Sequence, residues 1–338
     1  MTITILVAVY NAEKYLRQCL DSLCEQTYKN IQIVCIDDCS TDSSPAILNE
    51  YAKRDNRVTI MRTTTNSGQA AARYMGLQAA QGEYTAFLDS DDWLASDSIA
   101  VIAAALTGAD NIDCALFRLI NYYEAGDTCE DGGTYEDYPT PIEPQTILTG
   151  EEAFRLSLDW TIHGVMAVRT DIYKACPPGR QRSLYDDELL TRRQLLHSRR
   201  VITTSAPYYY RRHGQSTTQA FTVRRFDMMD SHLSLRQLIE DEGLTGLLQP
   251  VEKLLWLTIV DCYMLYRDNR QQLSDDERKT TEARFAAMLS MVKPGRLPWR
   301  LRVKFGYIPV RSYRLFSYME DTYSRLRSLY YRIRHIGR

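Results

Sequence analysis

Short apolar runs alternate with amphipathic segments over the first third of the chain. Residues 3–9 are mostly β-branched and apolar, which predicts a buried strand. Residues 12–24 instead repeat apolar side chains at helical spacing. The two patterns continue, with strands predicted at 31–36, 58–61 and 83–88 and helices at 44–53, 69–80 and 97–106. Strands that alternate with helices predict an α/β fold with a mainly parallel sheet flanked by helices.

The rest of the chain divides into an irregular middle and a helical end. Residues 121–150 are rich in Gly, Pro, Asp, Glu and Tyr, which predicts a long loop beside a substrate site, with a short hairpin inside the loop as an option. Beyond residue 222 helical periodicity dominates, so we expect an α/β domain at 1–222 and an α-helical C-terminal extension at 223–338. The remaining predicted elements are a strand at 165–168 and helices at 151–158, 188–198, 224–242, 247–270, 275–292 and 311–335.

Charge is unevenly distributed along the chain. The formal net charge of −2 gives no general reason to expect nucleic-acid binding. Residues 293–338, however, contain 12 Lys and Arg and only two acids, so this tail carries +10 and the remainder −12. Aromatic residues lie among the basic ones, a mixture that suits an anionic membrane surface. We favour the membrane as partner; docking of the tail on the acidic body and nucleic-acid binding are the alternatives.

The cysteines and the apolar runs bear on the cell compartment. None of the eight cysteines forms a CxxC pair or a zinc-type cluster with histidine, so we expect reduced thiols in a cytoplasmic protein. The longest apolar run, 99–106, is far shorter than the roughly 18 residues that a membrane-spanning helix needs. The N-terminal residues lack a basic flank, and we interpret them as a strand and not as a signal peptide.

Polar clusters follow three of the predicted strands. Tyr10-Asn11 follows the first, Asp37-Asp38 the second and Asp89-Ser-Asp-Asp92 the fourth. Ligands of an open parallel sheet bind beyond the carboxyl ends of its strands. Carboxylates gathered there favour a neutralising cation, and hard oxygen ligands suit Mg²⁺ or Mn²⁺. The chain has neither GxGxxG nor GxxxxGK(S/T), so metal and side chains would have to bind a diphosphate.

These clusters belong to segments that resemble a known family. The resemblance is to the inverting nucleotide-sugar glycosyltransferases of family 2, closely over about residues 1–110 and less closely over about 150–220. It implies a GT-A fold, Rossmann-like and mainly parallel, with a donor half at 1–110 and an acceptor half at 111–222. The segments that carry it are Val7-Ala-Val-Tyr-Asn11, Leu20–Thr27, Ile36-Asp-Asp-Cys-Ser-Thr-Asp42, Asn66-Ser-Gly68, Ala72-Arg73, Gly76, Gly82-Glu-Tyr84 and Phe87-Leu-Asp-Ser-Asp-Asp92.

The resemblance implies roles for the donor-side residues. Asp38 resembles the carboxylate that contacts uracil, and Arg73 the arginine that supports the base or the diphosphate. Asp89 would face the ribose, Asp91 would bind Mn²⁺ or Mg²⁺, and His213 would complete the metal shell. Segment 207–216 resembles the one that closes over the donor. The implied nucleotide-sugar-binding set is Val9, Asn11, Asp37, Asp38, Arg73, Asp89, Ser90, Arg211 and Arg212.

The segment Leu184-Tyr-Asp-Asp-Glu188 resembles the family motif that carries the general base. In this register Asp187 is the base and Asp186 stands where the family usually has Glu. A helix N-terminus decorated with acids is the structural alternative, because the helix dipole favours negative charge there. Trp160, His163 and Asp186 fall on the acceptor side, where Trp160 would either stack on a sugar ring or pack in the core.

The function implied is metal-dependent sugar transfer with inversion at the anomeric carbon. The expected donor is a UDP-sugar, and the expected acceptor is a glycan on a lipid carrier at the inner face of the cell membrane, in bacterial surface polysaccharide assembly. One alternative is an inactive nucleotide-sugar-binding scaffold on the same fold. The other is a nucleotidyltransferase, which normally carries a Gly-rich basic loop that segment 9–13 lacks.

Overall fold

The structure is a computed structural model that describes residues 1–124, 133–176, 185–212, 221–305 and 312–336. For residues 186, 303–305 and 327–336 it describes the backbone only. The chain divides into two compact units, residues 1–219 and residues 220–338. Each unit has a hydrophobic core of its own.

The first unit is built on one mixed sheet with helices. Its strands are β1 Ile3–Val9, β2 Ile31–Asp37, β3 Val58–Arg62, β4 Tyr84–Phe87, β5 Trp93–Leu94, β6 Ile112–Tyr123, β7 Thr134–Asp137, β8 Ile147–Thr149, β9 Met166–Arg169 and β10 Arg200–Arg212. Its helices are α1 Leu16–Cys24, α2 Ser44–Arg54, α3 Gln69–Gln78, α4 Ser98–Thr107, α5 Gly150–Ser157, α6 Thr170–Ala175 and α7 Asp186–His197.

The strand order brings the predicted polar clusters to one edge of the sheet. The order is β3-β2-β1-β4-β9-β6-β10-β5, with β7 added beside β6 and β8 beside β10. Strands β1 to β4 are mutually parallel, with β1 paired to both β2 and β4. β9 runs antiparallel between β4 and β6, and β6 is parallel to β10. Because β1, β2 and β4 run the same way, the segments after their carboxyl ends are neighbours.

The sequence patterns explain the first block of elements. β1 is buried almost throughout, as a strand covered on both faces requires. α1 buries Leu16, Cys19, Leu20 and Leu23, which share one face at helical spacing. The predicted helix at 12–24 begins only at Leu16, since the preceding residues form the turn after β1. The alternating α/β pattern is thus confirmed as a mixed sheet flanked by helices.

The acceptor-side half differs from the sequence prediction. Residues 121–123, predicted as loop, end the long strand β6, and residues 207–212, predicted within a closing segment, end the long strand β10. The two strands pair over most of their length, from Arg200 opposite Ile112 to Arg212 opposite Tyr123. Partners about ninety residues apart supply the backbone hydrogen bonds of each strand, and local composition does not show this pairing.

The second unit is helical, as the periodicity predicted. Its helices are α8 Asp227–Asp241, α9 Leu248–Asn269, α10 Asp275–Met291, α11 Trp299–Phe305 and α12 Tyr313–Ile336. A cluster of aromatic residues fills its core; the largest are Trp256, Tyr263, Phe226, Phe285 and Phe316. A capping box starts α10, since Ser274 and Glu277 each accept the other's backbone N–H.

Two features bear on the predicted compartment. The seven cysteines that lie within the described residues are free thiols, and Cys129 falls outside them. Among the helices that the structure describes, none combines the length and the apolar character needed to cross a bilayer.

Candidate active site

Two turns at the carboxyl ends of β1 and β2 are hydrogen-bonded to each other. The backbone N–H of Asp38 donates to the carbonyl of Val9, the last residue of β1, at 2.7 Å. Asn11 Oδ1 accepts from the Thr41 N–H at 2.8 Å, and the Asn11 N–H donates to Ser40 Oγ at 3.1 Å. Asn11 has φ 48°, in the left-handed region that Asn tolerates. These bonds fix the edge of the sheet where the predicted donor-binding residues lie.

The Asp38 carboxylate connects β2 to the start of α3. Its hydrogen-bond donors come from the segment between β3 and α3: Thr63 Oγ1 at 2.8 Å, the Ser67 N–H at 2.8 Å and the Gly68 N–H at 2.7 Å. Asp37 is also buried, and its Oδ2 lies 3.1 Å from Nε of the more exposed Arg62. The Asp38 carboxylate therefore shapes the turn that precedes α3, whereas Asp37 contacts the end of β3 and accepts from the Ser40 N–H at 2.9 Å.

Arg73 links α3 to the carboxylate turn after β4. The side chain is buried, and its Nη2 lies 2.5 Å from Asp89 Oδ1. Its guanidinium also stacks on the Phe87 ring, 3.9 Å from the centroid. Gln69, one turn earlier on α3, donates to the same Asp89 oxygen at 2.8 Å. The structure thus brings Arg73 and Asp89 together, two residues that the sequence placed on separate motifs.

The turn after β4 concentrates three carboxylates. The Asp92 N–H donates to the Asp89 carbonyl at 3.0 Å, which closes the turn. Asp89 and Asp91 are half-buried, as is Ser90, whereas Asp92 is buried. Burial, reinforced by the two neighbouring carboxylates, raises the pKa of Asp92 well above its usual range. Burial also raises the pKa of Asp89, against the opposing charge of Arg73. Burial therefore disfavours the ionised form of both carboxyl groups.

These residues fit a divalent cation of the Mg²⁺ or Mn²⁺ type. No group of three or more His, Cys, Asp and Glu side chains with metal-binding geometry occurs among the described residues. Such a closed cage is not required, since Mg²⁺ is commonly held by one or two carboxylates together with substrate phosphates. Asp91 and Asp89 both lie in this turn, and both are half-buried. The other predicted ligand, His213, lies outside the described residues.

Two residues of β10 hold the carboxylate turn in place. Tyr208 Oη donates to Asp92 Oδ2 at 2.8 Å and accepts from the Asp89 N–H at 3.3 Å. Arg211 donates through its backbone N–H to Asp92 Oδ1 at 2.8 Å and through Nε to the Asp91 carbonyl at 2.9 Å. Tyr208, Arg211 and Asp92 are all buried. The end of β10 therefore positions the backbone that carries Asp89 and Asp91.

Arg211 has several partners within the protein. Its Nη1 lies 3.3 Å from Glu124 Oε1, and its guanidinium stacks on Tyr15 and Trp93 at 4.6 and 4.7 Å from their centroids. The side chain is only 1% exposed. Arg212, by contrast, is exposed and donates through Nε to Asn121 at 2.9 Å. Of the two arginines, Arg212 is placed to reach a ligand.

Asp187, in the first turn of α7, has the properties of a proton acceptor. The residue is accessible to solvent, yet the protein around its carboxyl group desolvates it and raises its pKa to about 6. Arg73 opposes this shift, while Glu188 and Asp89 add to it. Glu188 Oε2 is engaged by Arg192 Nη1 at 2.9 Å. Of these two carboxylates, Asp187 therefore suits the general base better.

The acceptor-side residues divide into one exposed and one buried side chain. Trp160 is 46% exposed, has φ 63°, and lies under the Arg192 guanidinium at 5.1 Å from its ring centroid. His163 is buried, accepts the Val165 N–H through Nδ1 at 3.1 Å, and has a pKa lowered by burial to about 4. The acceptor-side role of His163 stays a prediction, and its surroundings are those of a buried core residue. The backbone of Asp186 begins α7.

Sequence reasoning missed two contributors to this site. Gln69 and Tyr208 both bond to the Asp89–Asp92 turn, yet neither was named among the predicted site residues. Strand alternation was the available signal for Tyr208, since consecutive tyrosines at 208–210 face opposite sides of a strand. The signal was lost because this segment was interpreted as part of a closing loop.

The fold places the protein in a class of known architecture. The structure of S. aureus TarS 1–349 in complex with UDP-GlcNAc superposes with a TM-score of 0.72, covering 96% of this chain and 92% of that one at 20% identity. A mannosyltransferase from Pyrobaculum calidifontis, solved with GDP-Man and Mn²⁺, superposes with a TM-score of 0.53 at 17% identity. The architecture is therefore the GT-A fold followed by a helical region, as the resemblance implied.

The sequence comparison names the family within this class. Residues 4–151 match the family described as Glycosyl transferase family 2, so the chain is similar to that family over this segment. The putative glycosyltransferase EpsH of Bacillus subtilis (strain 168) is 41% identical over 140 residues, 40% of either protein. The poly(ribitol-phosphate) beta-glucosyltransferase of Bacillus spizizenii is 45% identical over 102 residues, 29% of this chain and 16% of that protein. These alignments span less than half of each relative.

Proposed function

We propose that this protein is an inverting glycosyltransferase that moves a sugar from a nucleotide donor to a hydroxyl group of a glycan. The observation that carries the proposal is the convergence of the Asp89–Asp92 turn, Arg73 and Asp187 beyond the carboxyl ends of β1, β2 and β4. Asp187 is accessible and has a raised pKa, and it lies beside a turn whose carboxylates suit a divalent cation. This arrangement suits sugar transfer from a nucleoside diphosphate. The family 2 match and the glycosyltransferase relatives support the same reaction class.

The reaction assigns each described group a task. The acceptor oxygen attacks the anomeric carbon from the side opposite the diphosphate, and Asp187 takes the hydroxyl proton. The bond from the anomeric carbon to the diphosphate oxygen breaks, and the nucleoside diphosphate leaves with that electron pair. Arg73 holds Asp89 in position at 2.5 Å, and Arg212, exposed at the end of β10, is the proposed contact to the leaving phosphates. The sugar configuration is inverted because attack and departure occur on opposite faces.

The donor is proposed to be a UDP-sugar, and the cofactor Mn²⁺ or Mg²⁺. When bound, such a cation neutralises charge on the departing diphosphate as a Lewis acid. The TarS structures were solved with UDP-GlcNAc and with UDP, which supports uracil as the nucleobase of the donor. Asp38 and Asn11, which shape the turns at the ends of β1 and β2, are the proposed nucleoside-side residues.

The acceptor is proposed to be a lipid-linked glycan of bacterial surface polysaccharide assembly. The chain would then act as a peripheral protein at the inner face of the cell membrane. The chemical support is the tail at 293–338, whose net charge of +10 and many aromatic side chains suit an anionic bilayer. Trp160, exposed in the segment between α5 and β9, is the proposed platform for a sugar ring.

The donor proposal is tested by thermal-shift titration of the purified protein with UDP, GDP, CDP and dTDP, each with and without Mn²⁺. We expect stabilisation by UDP that requires the metal, because ligand binding to the folded state raises its stability. A metal-dependent shift with another nucleotide would support the enzyme proposal but replace uracil with another nucleobase. The absence of a shift with all four would favour an inactive scaffold.

The base is tested by replacing Asp187 with Asn, which preserves size and hydrogen bonding but cannot accept the proton. General bases typically contribute about 10²- to 10⁴-fold, so we expect the turnover of this variant to fall by at least ~100-fold with donor binding intact. Glu188→Gln is the matched control, and its turnover should stay within a few-fold of the wild type. Unchanged transfer by the Asp187 variant would remove Asp187 from the mechanism.

A further inference from the structure

Helix α12 is attached to the second unit by one of its sides. Phe316 is buried there, with its ring centroid 5.2 Å from that of Tyr263 and 5.7 Å from that of Trp256, both on α9. Tyr263 Oη also donates to Asp321 Oδ1 at 3.0 Å. These contacts bury the inner side of α12 within the helical core. Whatever the other side of the helix binds, the helix is already held in place.

The other side of α12 exposes apolar and basic side chains in a line. Residues four apart lie on one side of an α-helix, and exposed residues recur at this spacing from 314 to 326. We call the set the outer stripe: Arg314, Tyr318, Thr322 and Leu326. Tyr318 is 70% exposed and Leu326 is 61% exposed, which is unusual for large apolar side chains. Arg325 is exposed beside the stripe.

The sequence continues the pattern beyond the described side chains. α12 extends to Ile336, and the sequence of this last part contains apolar residues at 329, 330, 333 and 336. Arginines occupy 327, 332 and 334 of the same helix. Just before it, α11 begins with Trp299, which is 65% exposed and stacks with Arg300 at 5.5 Å from its ring centroid. The combination of exposed apolar and basic groups is that of an interfacial membrane helix.

We propose that the outer stripe of α12 is the surface through which this protein docks on an anionic lipid bilayer. Tyr318 and Leu326 would enter the headgroup boundary, and Arg314 and Arg325 would pair with lipid phosphates. A second copy of the chain is the less favourable occupant. A two-fold interface along the stripe would bring the arginines of both copies together, and like charges oppose association. The location at the membrane rests on the proposed function, but the docking surface does not.

The experiment is co-sedimentation of the full chain with vesicles of phosphatidylcholine alone or mixed with phosphatidylglycerol. We expect binding to the mixed vesicles that weakens with added salt. The stripe variant is Tyr318→Ser combined with Leu326→Ser, whose partition coefficient should fall about tenfold or more. The charge variant is Arg314→Gln combined with Arg325→Gln, which should lose the preference for anionic lipid.

The matched control removes exposed apolar groups elsewhere in the same unit. Leu257 on α9 and Met291 at the end of α10 are 38% and 43% exposed, and Leu257→Ser combined with Met291→Ser should leave vesicle binding unchanged. Circular dichroism and thermal melting of every variant establish that the fold is retained. An equal loss in the control and the stripe variant would refute a specific stripe.

The remaining outcomes separate this proposal from the transferase. Transfer to a lipid-free acceptor without vesicles should be the same for wild type and stripe variant. A wild type that transfers sugar but ignores anionic vesicles would overturn the docking surface alone. A wild type that binds vesicles through the stripe but neither binds nucleotide nor transfers sugar would overturn the transferase alone. If the wild type forms a dimer that the stripe variant loses, and does not bind vesicles, the partner of the outer stripe would be a second copy of the chain and not a bilayer.

Discussion

At the scale of single residues, Asp187 gives the site a pH dependence. Its pKa is raised from 3.8 to about 6, so protonation removes the base as the pH falls through that value. We expect kcat/KM to be constant above this pH and to fall about tenfold per pH unit below it. The groups that act on the Asp187 carboxyl are Arg73, which lowers the pKa, and Glu188 and Asp89, which raise it. A profile without an acid limb between pH 5 and 7 would contradict the assignment.

The neighbour Glu188 provides an internal check on this profile. Its negative charge disfavours ionisation of Asp187, so Glu188→Gln should lower the pKa of Asp187 and move the acid limb toward lower pH. The Arg192 partner is lost in the same variant, which is why stability must be measured alongside. An acid limb that stays in place or moves upward would show that another group titrates.

At the scale of elements, β10 acts on the carboxylate turn from a distance in sequence. Tyr208→Phe keeps the ring but leaves Asp92 without the hydroxyl at 2.8 Å. A buried acceptor that loses its donor costs about 1–3 kcal/mol, so the free energy of unfolding should fall by that amount. If the turn is positioned as described, the apparent affinity for Mn²⁺ should weaken more than that for UDP alone. Tyr208 is thus a positioning residue.

The residue next to Tyr208 is the control for this prediction. Tyr209 faces the opposite side of β10 and stacks on Trp93 with 5.1 Å between ring centroids. Tyr209→Phe should preserve both the stacking and the metal response. Denaturant unfolding and Mn²⁺ titrations of the two variants, carried out in parallel, distinguish them. Equal metal responses would assign Tyr208 to stability only.

Helix α3 depends on a close approach to the sheet. A Cβ at Gly76 would lie 2.5 Å from Cδ1 of the fully buried Ile36, so α3 or Ile36 would have to move. We expect Gly76→Ala to destabilise the protein by about 1–3 kcal/mol, although Ala is otherwise the better helix former. Donor binding should weaken as well, since α3 carries Arg73.

Gly295 is the matched position for this test. A Cβ there meets nothing within 4 Å, so Gly295→Ala should be nearly neutral. Thermal melting and UDP titration of both variants decide the question. Gly76→Ala with wild-type stability would mean that Ile36 repacks without strain and that α3 is not held by this contact.

At the scale of the whole molecule, the two units have separate cores and separate proposed tasks. Every described donor-site residue and Asp187 lie in residues 1–219, and the outer stripe lies in residues 220–338. Because a unit with its own core can fold alone, we expect residues 1–219 to keep the UDP-dependent thermal shift and to lose vesicle binding. A fragment that folds, as seen by a cooperative melt, but binds no nucleotide would show that the site needs the second unit.

The extent of prediction from sequence differed between the two halves of the first unit. In the donor half, β1 to β4 and the helices between them each carry their own periodicity. The succession of these elements along the chain was therefore predictable from local sequence. The acceptor half depends on β6 and β10, whose residues pair across some ninety positions. The local sequence at the tyrosine-rich ends of both strands predicted a loop, because the hydrogen bonds that extend these strands come from the partner strand.

The sequence by itself determined that polar clusters stand at the ends of three strands, two of them with carboxylates, because strand periodicity and topology bring those ends to one edge. It also marked Asp187 at the start of a helix and concentrated positive charge in the tail. Only the tertiary structure decided which polar side chains are exposed and which are buried against other residues. Arg211 is buried against Glu124 and two aromatic rings, and His163 is buried with its pKa lowered to about 4. Burial and partners arise from contacts between distant segments, and these determine whether a charged side chain supports the fold or meets a ligand.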